Sequence, residues 1–188
     1  MSEDTASILK EAEKKMAKSV EVTKEEFTAI RTGRASAAMF QGITADYYGT
    51  PTPLNQLAAF QFPEARTVIV TPYDKGAMAE IEESLRESDL GVNPTNNGDN
   101  LRIVLPALTE ERRKEYIKMA KAKAEEGRIA VRNVRRASND IVKKQEKDKE
   151  ISEDEMTRLE KELDQVTRKY VEQIDELLKS KESELLEI

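Results

Sequence analysis

The chain has 188 residues, with 31 Lys and Arg against 37 Asp and Glu, for a formal charge of −6. Apolar residues make up 38% and charged residues 36%, which suits an elongated helical architecture exposing much surface per residue. Cys, His and Trp are absent, which excludes disulfides, thiolate nucleophiles, nearly every structural zinc site, and Ser-His-Asp or Cys-His catalysis.

Residues 1–32 contain no Pro or Gly, and Leu9, Ala12, Met16, Val20, Thr23, Phe27 and Ile30 step by three or four. That spacing predicts one amphipathic helix. The opening MSEDTASILKEAEKK has no apolar core, so no secretory signal is expected. The longest β-like apolar runs are far shorter than a membrane span, so a cytoplasmic protein is the expectation.

The middle of the chain is punctuated differently. All six Pro lie between Pro51 and Pro106, and six of the seven Gly between Gly33 and Gly98. Ile43–Tyr48, the alternating Phe60 and Phe62, Val68-Ile69-Val70 and Ile103-Val104-Leu105 read as strands. Gly76 to Ser88 reads as a short helix, and Asn93 to Asp99 as loop or hairpin. Residues 33–107 are therefore expected to form a small β/α/β domain inserted into a helical one. The two crossings, near Thr32-Gly33 and Pro106-Ala107, are expected to act as a hinge.

From residue 108 onward Pro is absent again. Thr109 can cap a helix whose stripe is Ile117, Ala120, Ala124, Gly127, Val131, Val134, Ser138 and Ile141. Ser152-Glu153-Asp154-Glu155 is a capping-box pattern opening another, with Met156, Leu159, Leu163, Val166, Tyr170, Ile174 and Leu177 on its apolar face. Three stripes, none able to bury its face alone, predict a three-helix bundle made of 1–32 and 108–188. The fold class is α+β.

Charge is distributed unevenly. Residues 112–136 hold ten basic and three acidic groups, while the rest of the chain is acidic. Arg112 and Arg113 open this stretch, and Arg128, Arg132, Arg135 and Arg136 recur at i, i+4, i+7 and i+8, on one helix face. Stacked like charges repel, and a polyanion relieves that repulsion; Arg adds planar donors that fit phosphate. Spacing alone leaves open a merely solvated face, or one neutralised by an acidic partner helix. The absence of a helix-turn-helix or basic-zipper arrangement favours RNA over sequence-specific DNA reading. Glycine-rich phosphate loops are also absent, and acidic runs such as Glu153-Asp154-Glu155 suit a helix N-terminus better than a metal. No enzyme, cofactor or metal site is expected.

Six blocks in order carry a family resemblance: Ile30–Ala35 (IRTGRA), Tyr47–Leu54 (YYGTPTPL), Ser88–Gly91 (SDLG), Leu108–Lys114 (LTEERRK), Val131–Arg136 (VRNVRR) and Asp148–Asp154 (DKEISED). The chain resembles the bacterial ribosome recycling factors over essentially its whole length. It departs at Ala38, where the family often has Pro, and at Ala137-Ser138, in place of Asp-Ala. The resemblance implies an L-shaped, roughly tRNA-sized monomer that binds the large ribosomal subunit after termination. With elongation factor G and GTP, such a protein splits the post-termination complex and has no catalytic residue of its own. Carried over, Arg132 and Arg135, with Arg128 and Arg136, are expected to grip ribosomal RNA phosphates, helped by Arg31, Arg112 and Arg113. Gly33, Arg34, Pro106 and Ala107 are the expected hinge. Neither DNA nor a membrane is an expected partner. A helical adaptor or chaperone that binds protein and a nonspecific RNA binder are the two rival readings.

Overall fold

A computed structural model describes residues 3–187. They separate into two compact units. One takes in the chain up to Phe27 together with Ile117–Ser183; the other takes in Thr28–Tyr116 together with the chain from Glu184 on.

The first unit is built on three helices: α1 (Glu3–Thr28), most of α4 (Glu110–Lys147) and most of α5 (Glu153–Leu186). Their apolar stripes face inward. Ala12, Met16 and Phe27 of α1, Ala120, Ala124 and Val131 of α4, and Leu159, Leu163 and Ile174 of α5 are all buried. Two details differ from the stripes read off the sequence. Helix α1 stops at Thr28, and Ile30 is buried in the turn beyond it. On α4, Val142 is fully buried and Ile141 is half exposed, because after Ser138 the inward row advances by four residues instead of three.

Backbone chemistry fixes where these helices turn. Thr109 Oγ1 accepts from the Arg112 N–H at 3.1 Å at the start of α4, with Glu110 and Glu111 in its first turn. At the other end, Glu150 N donates to Gln145 O and Lys149 N to Glu146 O, with Lys149 at φ 60°. This is a Schellman termination with lysine where glycine is favoured. Ser152 then caps α5, its Oγ accepting from Glu155 N at 3.1 Å, and Ile151 and Met156 pack together in the cluster around Leu159 and Leu163.

Near the middle of the bundle, Gly127 lets the three helices close on one another. A Cβ at Gly127 would overlap Thr23 Oγ1 of α1 and lie 3.2 Å from Ile174 Cδ1 of α5. Thr23 spends its hydroxyl on Ser19 O, 2.9 Å away, so a polar side chain is tolerated at this buried level.

The second unit holds a hairpin of β1 (Thr44–Tyr47) and β2 (Thr50–Pro53), then the one-turn α2 (Leu54–Leu57), β3 (Ala58–Glu64), β4 (Thr67–Pro72), α3 (Met78–Glu87), β5 (Thr95–Asn96) and β6 (Leu101–Val104). The last four strands form an antiparallel sheet in the order β3-β4-β6-β5. Period-two alternation gives that sheet its inner face: Val68, Val70, Leu101 and Ile103 are buried with Ile81 and Leu85 of α3. Phe60 packs on this core, whereas Phe62, two residues on, is exposed, because the register shifts between Gln61 and Glu64 around Pro63. Asn93–Asp99 contributes to a hairpin: β5 pairs with β6, and Asn97 N closes the turn on Asn100 O.

Candidate nucleic-acid interface

Because Val131 and Ser138 point into the bundle, the arginines between and beside them are driven to its surface along α4. The structure then sorts them by what α5 and α4 place opposite. Arg128 is held hardest. Its Nε donates to Asp175 at 2.7 Å and its Nη1 to Glu125 at 2.8 Å, and its side chain is only 19% exposed. Burial works against its charge, but the two carboxylates outweigh burial and hold the guanidinium above its ordinary pKa.

Arg132 and Arg135 are looser. Arg132 lies 3.6 Å from Glu125 and Arg135 3.6 Å from Asp164, both too long for hydrogen bonds. Arg136 is exposed and, among the described residues, has no ion-pair partner. A row that is uniform in sequence is thus graded in space, from the half-buried strut Arg128 to the open Arg136.

The other candidate arginines belong to the second unit and are occupied differently. Arg31 donates through Nη2 to Pro106 O, and Arg113 through Nη1 to Leu186 O at 3.3 Å, in the last turn of α5. Each therefore satisfies a backbone carbonyl of its own fold. The Nε of each is buried and has no hydrogen-bond partner among the described residues. Arg112 is exposed and pairs with Glu115 one turn along at 3.4 Å.

Of the expected hinge residues, Gly33, Arg34 and Ala107 line a cavity of about 600 Å³ with Arg66, Arg113 and Glu187. Pro106 is the carbonyl held by Arg31. All four positions fall within the second unit, whose bounds are Thr28 and Tyr116.

Of two further features on these units, the first bears on the acidic partner helix that the spacing leaves open, and the second is not legible in the spacing. The first is the acidic row on α5, Asp164 and Asp175, which answers the arginines of α4. The two helices run antiparallel about a turn near Glu150, so residues roughly equidistant from it face each other. That geometry, with the acidic residues of the last helix, is the signal that identifies the pairs. The second is Asp74, which accepts from Gly76 N at 2.8 Å and from the hydroxyls of Tyr47 and Tyr48 at 3.0 and 3.4 Å. Those bonds, the Gly76 amide first, hold the Asp74 carboxyl below its ordinary range, and the same carboxylate raises the Tyr47 phenol. Tyr48 sits at φ 51° and Gly49 at φ 84°, a tight turn between β1 and β2 that leaves the Tyr48 ring exposed.

Among the described residues no cluster of acidic side chains is placed to hold a metal ion, and no helix is long and apolar enough to cross a membrane.

Comparison with known proteins puts a family beside this geometry. The family described as "Ribosome recycling factor" matches residues 23–186. A ribosome-recycling factor of Cutibacterium acnes is 75% identical over 183 residues, covering 97% of this chain and 100% of that one. That of Streptomyces coelicolor is 59% identical over 180 residues, covering 96% and 97%. Among solved structures, a solution structure of the ribosome recycling factor superposes with a TM-score of 0.78 at 39% identity, covering both chains fully. Models for the T. thermophilus ribosome recycling factor and the E. coli elongation factor G, bound to the E. coli post-termination complex, match with a TM-score of 0.67. Identity there is 42%, over 97% of this chain and 99% of that one.

Proposed function

The chain belongs to the ribosome recycling factor family, and from that premise we propose that it binds the large ribosomal subunit after termination. There, with elongation factor G and GTP, it splits the post-termination complex and frees the subunits from mRNA. The observation that carries this is the match of nearly the whole chain to a relative of that name at 75% identity. The structural neighbour described with elongation factor G on a post-termination complex supports the same partners. The protein supplies surfaces to this process, and GTP hydrolysis belongs to the partner. It works in the cytoplasm as a monomer.

Within that reading the bundle of 1–32 and 108–188 is the gripping domain, and 33–107 is the arm, linked at Gly33, Arg34, Pro106 and Ala107. Arg132, Arg135 and Arg136 take RNA phosphates, because they keep donors open to solvent that a phosphate can use bidentately. Arg128 assists from behind by fixing α5 to α4. Arg31, Arg112 and Arg113 contribute positive charge while each also serves a backbone carbonyl or a neighbouring side chain of its own fold.

The test is co-sedimentation with post-termination ribosomes, with and without elongation factor G and GTP. Subunit release only when both are present is the expected result. No association with ribosomes would overturn the reading, and binding of any structured RNA with equal affinity would replace it with nonspecific RNA binding.

A further inference from the structure

Resting on the reading that the arginine row takes RNA phosphate, we propose that Asp164 is a built-in competitor for the phosphate site at Arg135. It sets an upper limit on how tightly the protein holds the subunit.

The contrast with Arg128 carries the argument. Arg128 is tied by two hydrogen bonds of 2.7 and 2.8 Å at a site one-fifth exposed, so it is a fixed strut. Arg135 meets Asp164 at 3.6 Å, with the two side chains 35% and 54% exposed and no hydrogen bond between them. Attraction at that distance in solvent is weak and easily exchanged. The pairing is nonetheless imposed by packing. On α5, buried Leu163 and Thr167 fix the face from which Asp164 projects, and on α4, buried Val131 and Ser138 do the same for Arg135.

Asp164 therefore acts twice. In the free protein it neutralises part of the charge that would draw a phosphate. Once a phosphate has displaced it, the carboxylate stays beside that phosphate and repels it. Arg136, one residue on, has no such rival among the described residues, so the opposition is local to Arg135. A factor that engages a fresh subunit in every round must also leave the previous one. A carboxylate held beside one of its phosphate contacts keeps that release fast.

The experiment measures affinity of the full chain for isolated large subunits at fixed salt, for the wild type, Asp164→Asn, Arg135→Ala and the double variant. Asp164→Asn should bind about two- to fivefold tighter, the range for losing one exposed charge contact. In the Arg135→Ala background the same change should leave affinity unaltered, and Asp164→Glu, which keeps the charge, should behave as wild type. Thermal melts by circular dichroism check that each variant is folded. No tightening in Asp164→Asn, or equal tightening in both backgrounds, overturns the proposal, since the latter would be a general charge effect. Arg135→Ala binding as well as wild type would instead overturn the phosphate role of Arg135 itself, and the proposal with it.

Discussion

Gly127→Ala is the substitution that most directly tests how the bundle is held. Alanine is the better helix former by about 1 kcal/mol, so on an exposed helix the change would stabilise. Here the added methyl would overlap Thr23 Oγ1 and press on Ile174 Cδ1 at 3.2 Å. Thr23 can yield only by turning about χ1 and giving up its bond to Ser19 O, and the Ile174 methyl must shift as well. Overpacking of this kind costs about 1–3 kcal/mol. With the overlap at the upper part of that range, the net loss after the helix gain is about 1–2 kcal/mol. Urea unfolding followed by far-UV circular dichroism reads it, and the melting temperature should fall by roughly 2–8 °C. In a Thr23→Ala background the obstructing oxygen is gone, so Gly127→Ala should then be neutral or stabilising by up to about 1 kcal/mol. Gly127→Ala as stable as wild type, or equally costly in both backgrounds, would refute the close approach through Thr23.

Other substitutions address the turns and the charged face. Lys149→Gly should stabilise by up to about 1 kcal/mol in urea unfolding, since lysine at φ 60° ends α4 where glycine is unstrained. Arg136→Ala should weaken large-subunit binding by about 1–3 kcal/mol and lower the salt slope by about one contact while leaving the melting temperature unchanged. Arg128→Ala should reverse that pattern, costing about 1 kcal/mol of stability by leaving Asp175 unpaired and Glu125 with only the 3.6 Å approach of Arg132. Asp74→Ala should be less stable than wild type at neutral pH. Since the folded carboxyl titrates below 3.8, the deficit should be full above that value and shrink as pH falls through the lower folded one. A deficit that persisted undiminished in acid would assign the loss to packing.

Much of the fold can be read from the chain because its punctuation is segregated. Pro and Gly crowd the middle, so the helical stripes on either side run uninterrupted and the inserted strands show their period of two. What escapes reading has specific causes. Spacings of three and four are equally good on a helix face, so the choice of Val142 over Ile141 belongs to tertiary packing. Tyr48-Gly49 is a weak turn signal beside Asn-Gly, yet Asp74, 26 residues away, receives both tyrosine hydroxyls and supports the turn. The arginine row is visible from its spacing, but its grading is not, because exposure depends on which acids of α5 and α4 lie beside each arginine. Arg31 and Arg113 show the same limit: their charge is legible, while the carbonyls they bind, at Pro106 and Leu186, are supplied by the folded chain.

The division of the chain also has a consequence for synthesis. Apart from its last residues, the second unit is continuous from Thr28 to Tyr116, whereas the first needs segments from both sides of it. Helix α1 therefore leaves the translating ribosome about 90 residues before Ile117, where its partners in the bundle begin. At roughly 5–20 residues per second, that is about 5–18 s with Met16 and Phe27 uncovered. The inserted unit can fold in that interval but for its last residues, so the nascent protein passes through a state in which most of the later-numbered domain is formed and the earlier helix is waiting. Any chaperone captured during synthesis should be found on chains that end before the last helix has emerged.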